Sequence, residues 1–189
     1  MVIEPEKLVY ICCSDIAGQV RGKGFPARDL EKRRRFGVGW TPTNVMINCL
    51  GRIPKPPFGP HGDLFLVPSD SPEVVLDFGD GTPVEHWLLG EIRTLEGEDW
   101  DCCLRSFLRR SLARLEEEMG LKILASFEHE FHLEGAEERS GDAYALSSLR
   151  GIEAFSAEFI GALRANGLAP ETYLPEYGTR QYEVTLDPA

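Results

Sequence analysis

The chain has 189 residues, enough for one large domain or two small ones, and its 42% hydrophobic and 27% charged residues are ordinary for a soluble globular protein. The net charge of −11, from 31 acidic against 20 basic residues, argues against nucleic acid or an anionic membrane as the main partner, because phosphate binding needs surplus lysine and arginine. Five cysteines in two adjacent pairs (Cys12–Cys13, Cys102–Cys103) plus Cys49 make a poor disulfide framework without C-x-x-C spacing for zinc, so buried reduced thiols are expected.

The N-terminus lacks a basic region followed by an apolar run, and no segment approaches membrane-spanning length, so the expected location is the cytoplasm. Residues 7–14 are apolar and β-rich; 15–18 supply a turn and 19–25 return as a second strand. A short helix over 27–36 ends at Gly37, and Arg33, Arg34 and Arg35 read as its solvated face. Arg21 and Lys23 read as cations on a solvated hairpin arm. Residues 37–60 are rich in glycine and proline, with one apolar piece at 44–50 and an extended surface loop over 53–60. Short strands follow at 63–68, 74–78 and 87–95, with Asp80-Gly81 as a hairpin signal between the last two. Strands with one short helix imply a small α+β domain over residues 1–100.

The character changes near residues 98–101. Leu104, Phe107, Leu108, Leu112 and Leu115 recur at spacings of three and four, which predicts an amphipathic helix over 102–119 capped by Gly120. A strand is expected over 121–133, a polar loop over 135–141, a second amphipathic helix over 148–166 and an extended segment over 174–186. The order supports an antiparallel or mixed sheet with helices on one face of a second domain, 101–189.

The strand around residues 127–133 carries the chemistry. With side chains alternating at period two, Glu128, Glu130 and His132 share one face, and Phe127, His129, Phe131 and Leu133 the other. Two carboxylates side by side repel and lose hydration, which a divalent cation between them relieves. The same pattern also suits a solvent-facing edge strand whose charges guard against aggregation. Glu176 and Glu183 flank Gly178, where a kink or bulge brings both carboxylates together, although surface charge is the plainer reading of that pair. Four carboxylates without thiolates suit Mg2+ or Mn2+ rather than zinc or copper. The histidines at 129 and 132 are three apart in β-favouring residues, so a zinc protease helix is excluded and His129 is expected to be packed; His61 and His86 remain unassigned. No G-x-S-x-G elbow, G-x-G-x-x-G turn or Walker lysine motif is present.

The 127–133 segment resembles the Glu-x-Glu-Phe strand that opens the metal site of glutamine synthetases, and 176–184 resembles the family's Glu-x-x-Pro-Gly-Gln-x-Glu-Ile segment. The helix over 101–115 is similar to the one that begins their catalytic domain, and 15–26 to the first hairpin of their N-terminal β-grasp domain, with an Arg-Gly-Lys reading closest to γ-glutamyl-polyamine synthetases. The resemblance implies an α+β protein, a β-grasp domain at 1–100 followed by the first part of a catalytic domain at 101–189. It implies a ligase that uses ATP to activate glutamate as γ-glutamyl phosphate for attack by ammonia or an amine. It also implies that Glu130, Glu176 and Glu183 hold one divalent ion and Glu128 part of a second, and that subunits form ring-shaped homo-oligomers. The family's catalytic domain continues beyond the length of this chain, so the chain is expected to be inactive alone. Two departures stand out: Arg180 occupies the family's glycine position, and residues 40–43 lack the family's acid. They leave a non-catalytic metal-binding or regulatory module as the alternative.

Overall fold

The computed structural model describes residues 4–55, 57–58, 62–138 and 143–189. The chain divides into two compact units, Met1–Lys122 and Ile123–Ala189. Part of the loop expected over 53–60, His61 and the end of the loop expected over 135–141 lie outside the described residues.

The first unit is a mixed sheet. Strands β1 (Leu8–Ser14) and β2 (Val20–Pro26) form the expected hairpin, antiparallel, with Leu8 opposite Pro26 and Ser14 opposite Val20. β3 (Val38–Trp40), β4 (Leu64–Pro68), β5 (Val74–Leu76) and β6 (Glu85–Arg93) complete it in the order β2-β1-β6-β4-β3, with β5 paired to β6. β6 lies parallel to β1 and antiparallel to β4 and β5, which it engages at successive positions along its length. Alternation puts Val9, Ile11, Leu64, Leu66, Leu88 and Ile92 into one core with Phe25, Val38, Trp40 and Val45. Gly90 makes room there, since a Cβ at this position would lie 2.7 Å from Leu66 Cδ1 and 3.1 Å from Ile11 Cγ1.

Several expected bounds are corrected. The helix over 27–36 is a 3-10 turn (Ala27–Asp29) followed by α1 (Leu30–Phe36), ended as expected by Gly37. The segment 37–50 is not simply loop: it holds β3 and a 3-10 turn at Pro42–Met46 whose Pro42, Thr43 and Val45 are buried. The cations of the β1–β2 arm are engaged rather than merely solvated. Asp15, 2% exposed, accepts from the Ala17 and Gln19 amides and pairs with Arg21 Nε at 2.7 Å, while Lys23 Nζ donates to the Gly39 carbonyl at 2.5 Å. Burial alone would push the Asp15 carboxyl up, but these hydrogen bonds outweigh it and hold it below its ordinary value. His86 also finds a partner, Glu73 at 2.7 Å, which Arg34 shares.

Helix α2 (Leu104–Met119) ends at Gly120 in the left-handed conformation, as expected. Its apolar stripe is nonetheless largely exposed, with Phe107 at 60% and Leu108 at 58%. What ties the helix to the sheet is charge: Glu91, 5% exposed on β6, meets Arg109 at 3.3 Å and Arg105 at 3.8 Å, and Arg109 also pairs with Asp99 at 2.5 Å. All five cysteines carry free thiols; Cys12 and Cys103 are buried, whereas Cys49 and Cys102 are exposed, contrary to expectation. Among the described residues no helix is long and apolar enough to cross a membrane.

The second unit is a three-stranded antiparallel sheet, β7 (Glu128–His132), β9 (Gln181–Leu186) and β8 (Pro170–Pro175), in the order β7-β9-β8. The expected strand over 121–133 shrinks to β7. Its pairing with β9 persists irregularly to Ala125, but Pro188 has no N–H to continue a ladder. The helix expected over 148–166 is two, α3 (Leu146–Gly151) and α4 (Glu153–Ala165), because Ile152 leaves the helical conformation. The extended 174–186 segment is a hairpin. Phe131, Tyr173 and Tyr182 of the sheet pack against Phe155 and Phe159 of α4 as an aromatic core, with Phe131 and Phe159 ring centres 5.3 Å apart.

Candidate metal centre

The β7–β9 register decides which side chains meet. Glu130 stands opposite Glu183, His132 opposite Gln181 and Glu128 opposite Thr185; side chains of paired residues point to the same face. One face of the sheet therefore carries Glu128, Glu130, His132, Gln181, Glu183 and Thr185. The other carries Phe131, Tyr182 and Val184 and is closed by α4. The aromatic core on one side is what turns the carboxylates outward together.

Glu176 enters from the β8–β9 turn. Its backbone N–H donates to the Gln181 carbonyl at 2.8 Å, which closes the turn. Partial burial first, and then the negative charges of Glu128, Glu176 and Glu130, push the Glu183 carboxyl above its ordinary value. Glu183 thus senses the other three predicted carboxylates. Like charges this close favour any positive species, and a hard divalent cation matches an all-oxygen donor set. The donors fit such an ion in type and charge, although among the described residues no three His, Cys, Asp or Glu side chains are gathered tightly enough to enclose one.

The histidines are not part of this set. His132 Nδ1 lies 3.0 Å from the Thr179 carbonyl, and His129, expected to be packed, is exposed and stacked on Phe127 at 5.9 Å.

Three residues near the face escaped the sequence reading. Gln181 Nε2 donates to Glu130 Oε2 at 2.5 Å. Tyr144, at φ +58°, donates its N–H to the Pro175 carbonyl, and its hydroxyl is pushed up mainly by the Glu176 charge. Its neighbour in space, Tyr177, meets it edge to face with ring centres 6.2 Å apart. The only advance signal was the Gln181 position within the Glu-x6-Glu frame. For Tyr144 there was none, since it lies 32 residues before Glu176 and the turn that joins them is a tertiary matter.

Arg180 keeps a glycine-like backbone at φ +55°, and its guanidinium pairs with Glu138 at 2.5 Å.

An α+β chain with a carboxylate-bearing antiparallel sheet is the class these observations define. A family model described as the glutamine synthetase N-terminal domain matches residues 1–100. The chain belongs to the glutamine synthetase family. It is 29% identical over 196 residues to the gamma-glutamylpolyamine synthetase GlnA3 of Streptomyces coelicolor, covering 94% of this chain and 40% of that protein. It is 26% identical over 208 residues to the type-1 glutamine synthetase 1 of Dictyostelium discoideum, covering 96% and 41%. A crystal structure described as a novel glutamine synthase homolog superposes with a TM-score of 0.89 at 37% identity, over 100% of this chain and 45% of that one. The chain thus spans about 40% of the length of the curated relatives it matches.

Proposed function

We propose that the chain contributes part of an ATP-dependent ligase that joins the γ-carboxyl of glutamate to ammonia or an amine through γ-glutamyl phosphate. Glu130, Glu176 and Glu183 would hold one Mg2+ or Mn2+ ion and Glu128 part of a second. The ions would supply neutralisation of the phosphate charge during phosphoryl transfer, a reaction that depends on positioning and charge more than on covalent help from the protein. The single observation that carries this reading is the β7–β9 register, which sets Glu130 opposite Glu183 on the face that also carries Glu128, with Glu176 brought in by the adjoining turn.

In this reading the residues present have distinct tasks. The antiparallel β7–β9 ladder fixes the spacing of Glu130 and Glu183, and the β8–β9 turn brings in Glu176. The aromatic core holds the sheet rigid behind them. The excess negative charge attracts a cationic amine as well as a metal. The domain division at residues 100 and 101, homo-oligomeric assembly and the choice of ammonia or a polyamine as acceptor belong to the same proposal.

The test is Mn2+ titration of the chain and of Glu130→Gln, followed by electron paramagnetic resonance. Removing one charged ligand should lower affinity at least tenfold; equal binding by both would sink the reading. Phosphate release with ATP, glutamate and either ammonia or polyamines, assayed on the same chain, should stay at background. Robust turnover would show that these residues suffice for catalysis. Arg180 at the family's glycine position favours one second reading, a non-catalytic metal-binding module. It predicts Mn2+ binding that persists without turnover even when the chain is joined to a downstream catalytic segment of a relative.

A further inference from the structure

Resting on the metal-site reading above, we infer that Gln181 is a positioning residue that orients the Glu130 carboxylate for the cation, and that Gly178 is required to seat it. Gln181 is diagonal to Glu130 on the shared face of β7 and β9, one pair along from the Glu130–Glu183 pair. Its carboxamide is held at both ends. Nε2 donates to Glu130 Oε2 at 2.5 Å, and Oε1 accepts from the Gly178 N–H at 2.8 Å. An ionised carboxylate only accepts and a backbone N–H only donates, so the amide has one orientation that satisfies both partners.

The backbone of Gln181 is equally constrained. Its N–H donates to the Gly178 carbonyl at 3.0 Å and its carbonyl accepts from the Glu176 N–H at 2.8 Å. Gly178 matters for a steric reason: a Cβ there would collide with Gln181 Oε1 and come within 3.2 Å of its Cβ and Cδ. The turn, the glycine and the amide therefore form one clamp on Glu130. A carboxylate has two oxygens; fixing one by a neutral donor limits rotation while leaving the charge in place for an ion. Such outer groups typically change metal affinity by about 10–100-fold when removed.

The proposal is tested by Mn2+ titration of the full chain as wild type, Gln181→Met, Gly178→Ala, the double variant and Glu130→Gln, with circular dichroism melts alongside. Methionine keeps the length and volume of glutamine but cannot donate. Gln181→Met is expected to bind Mn2+ about tenfold more weakly with little change in melting temperature. Gly178→Ala should lose affinity similarly, and the double variant no more than the stronger single one, because both act through one amide. If Glu130→Gln weakens binding and Gln181→Met does not, the clamp is overturned while the metal site stands. Additive losses in the double variant overturn the shared-clamp account. If the wild type binds no Mn2+, the metal-site reading falls and the proposal with it.

Discussion

Arg180 and Glu183 show what single residues contribute here. Arg180 adopts φ +55°, a region that costs a non-glycine residue about 1 kcal/mol. Its exposed ion pair with Glu138 offsets part of that, since such pairs contribute about 0–1 kcal/mol. Arg180→Gly should therefore leave stability within about 1 kcal/mol of wild type, whereas Arg180→Val, β-branched at positive φ, should cost more; chemical denaturation would rank them. Glu183 works in the opposite sense to Asp15. Its raised folded pKa means that its favourable protonated state is fully present below the unfolded value and is lost as pH rises through the folded one. Glu183→Gln should raise the melting temperature at pH 7 without divalent ions, and the gain should shrink toward pH 4. Asp15, held low, contributes stability above the ordinary aspartate pKa and loses it as pH falls through the lower folded value. Removing it by Asp15→Ala should cost about 2–4 kcal/mol, because Arg21 and two amides lose a buried partner.

Among the elements, α2 and β6 separate two kinds of attachment. The periodicity of α2 was readable, but its stripe is not what holds it; buried Glu91 and the arginines do. Phe107→Ser and Leu108→Ser should each shift stability by no more than about 0.5 kcal/mol, since both side chains are mainly exposed. Gly90→Val on β6 should instead cost about 1–3 kcal/mol by forcing Leu66 and Ile11 apart. Urea midpoints of the three variants would check the contrast. Strand identities were legible wherever alternation was strong, as in β1 and β4. The two short elements between 37 and 50 were not, because glycine and proline masked a β3 of only three residues whose partner is β4. Likewise, the break at Ile152 has no glycine or proline of its own to announce it, only Gly151 before it.

At the scale of the whole chain, two units join near Lys122, and Leu121, Ile123 and Leu124 are exposed between α2 and the second sheet. Chymotrypsin is expected to cut there and release a fragment close to residues 1–122 that keeps its β-sheet circular dichroism; loss of that signal on cleavage would show that the units do not hold their folds separately. By itself the sequence determined the acidic balance and the α+β class, which follow from composition and period-two alternation acting over a few residues, and its short motifs carried the resemblance that pointed to the family and to the four glutamates. Tertiary structure decided which of them meet. Register alone sets Glu130 against Glu183, the hairpin carries Glu176 and Gln181 to them, and Tyr144 arrives from a distant turn. Such encounters depend on strand pairing and on the aromatic core that fixes the sheet's inner face, and no short-range pattern encodes them.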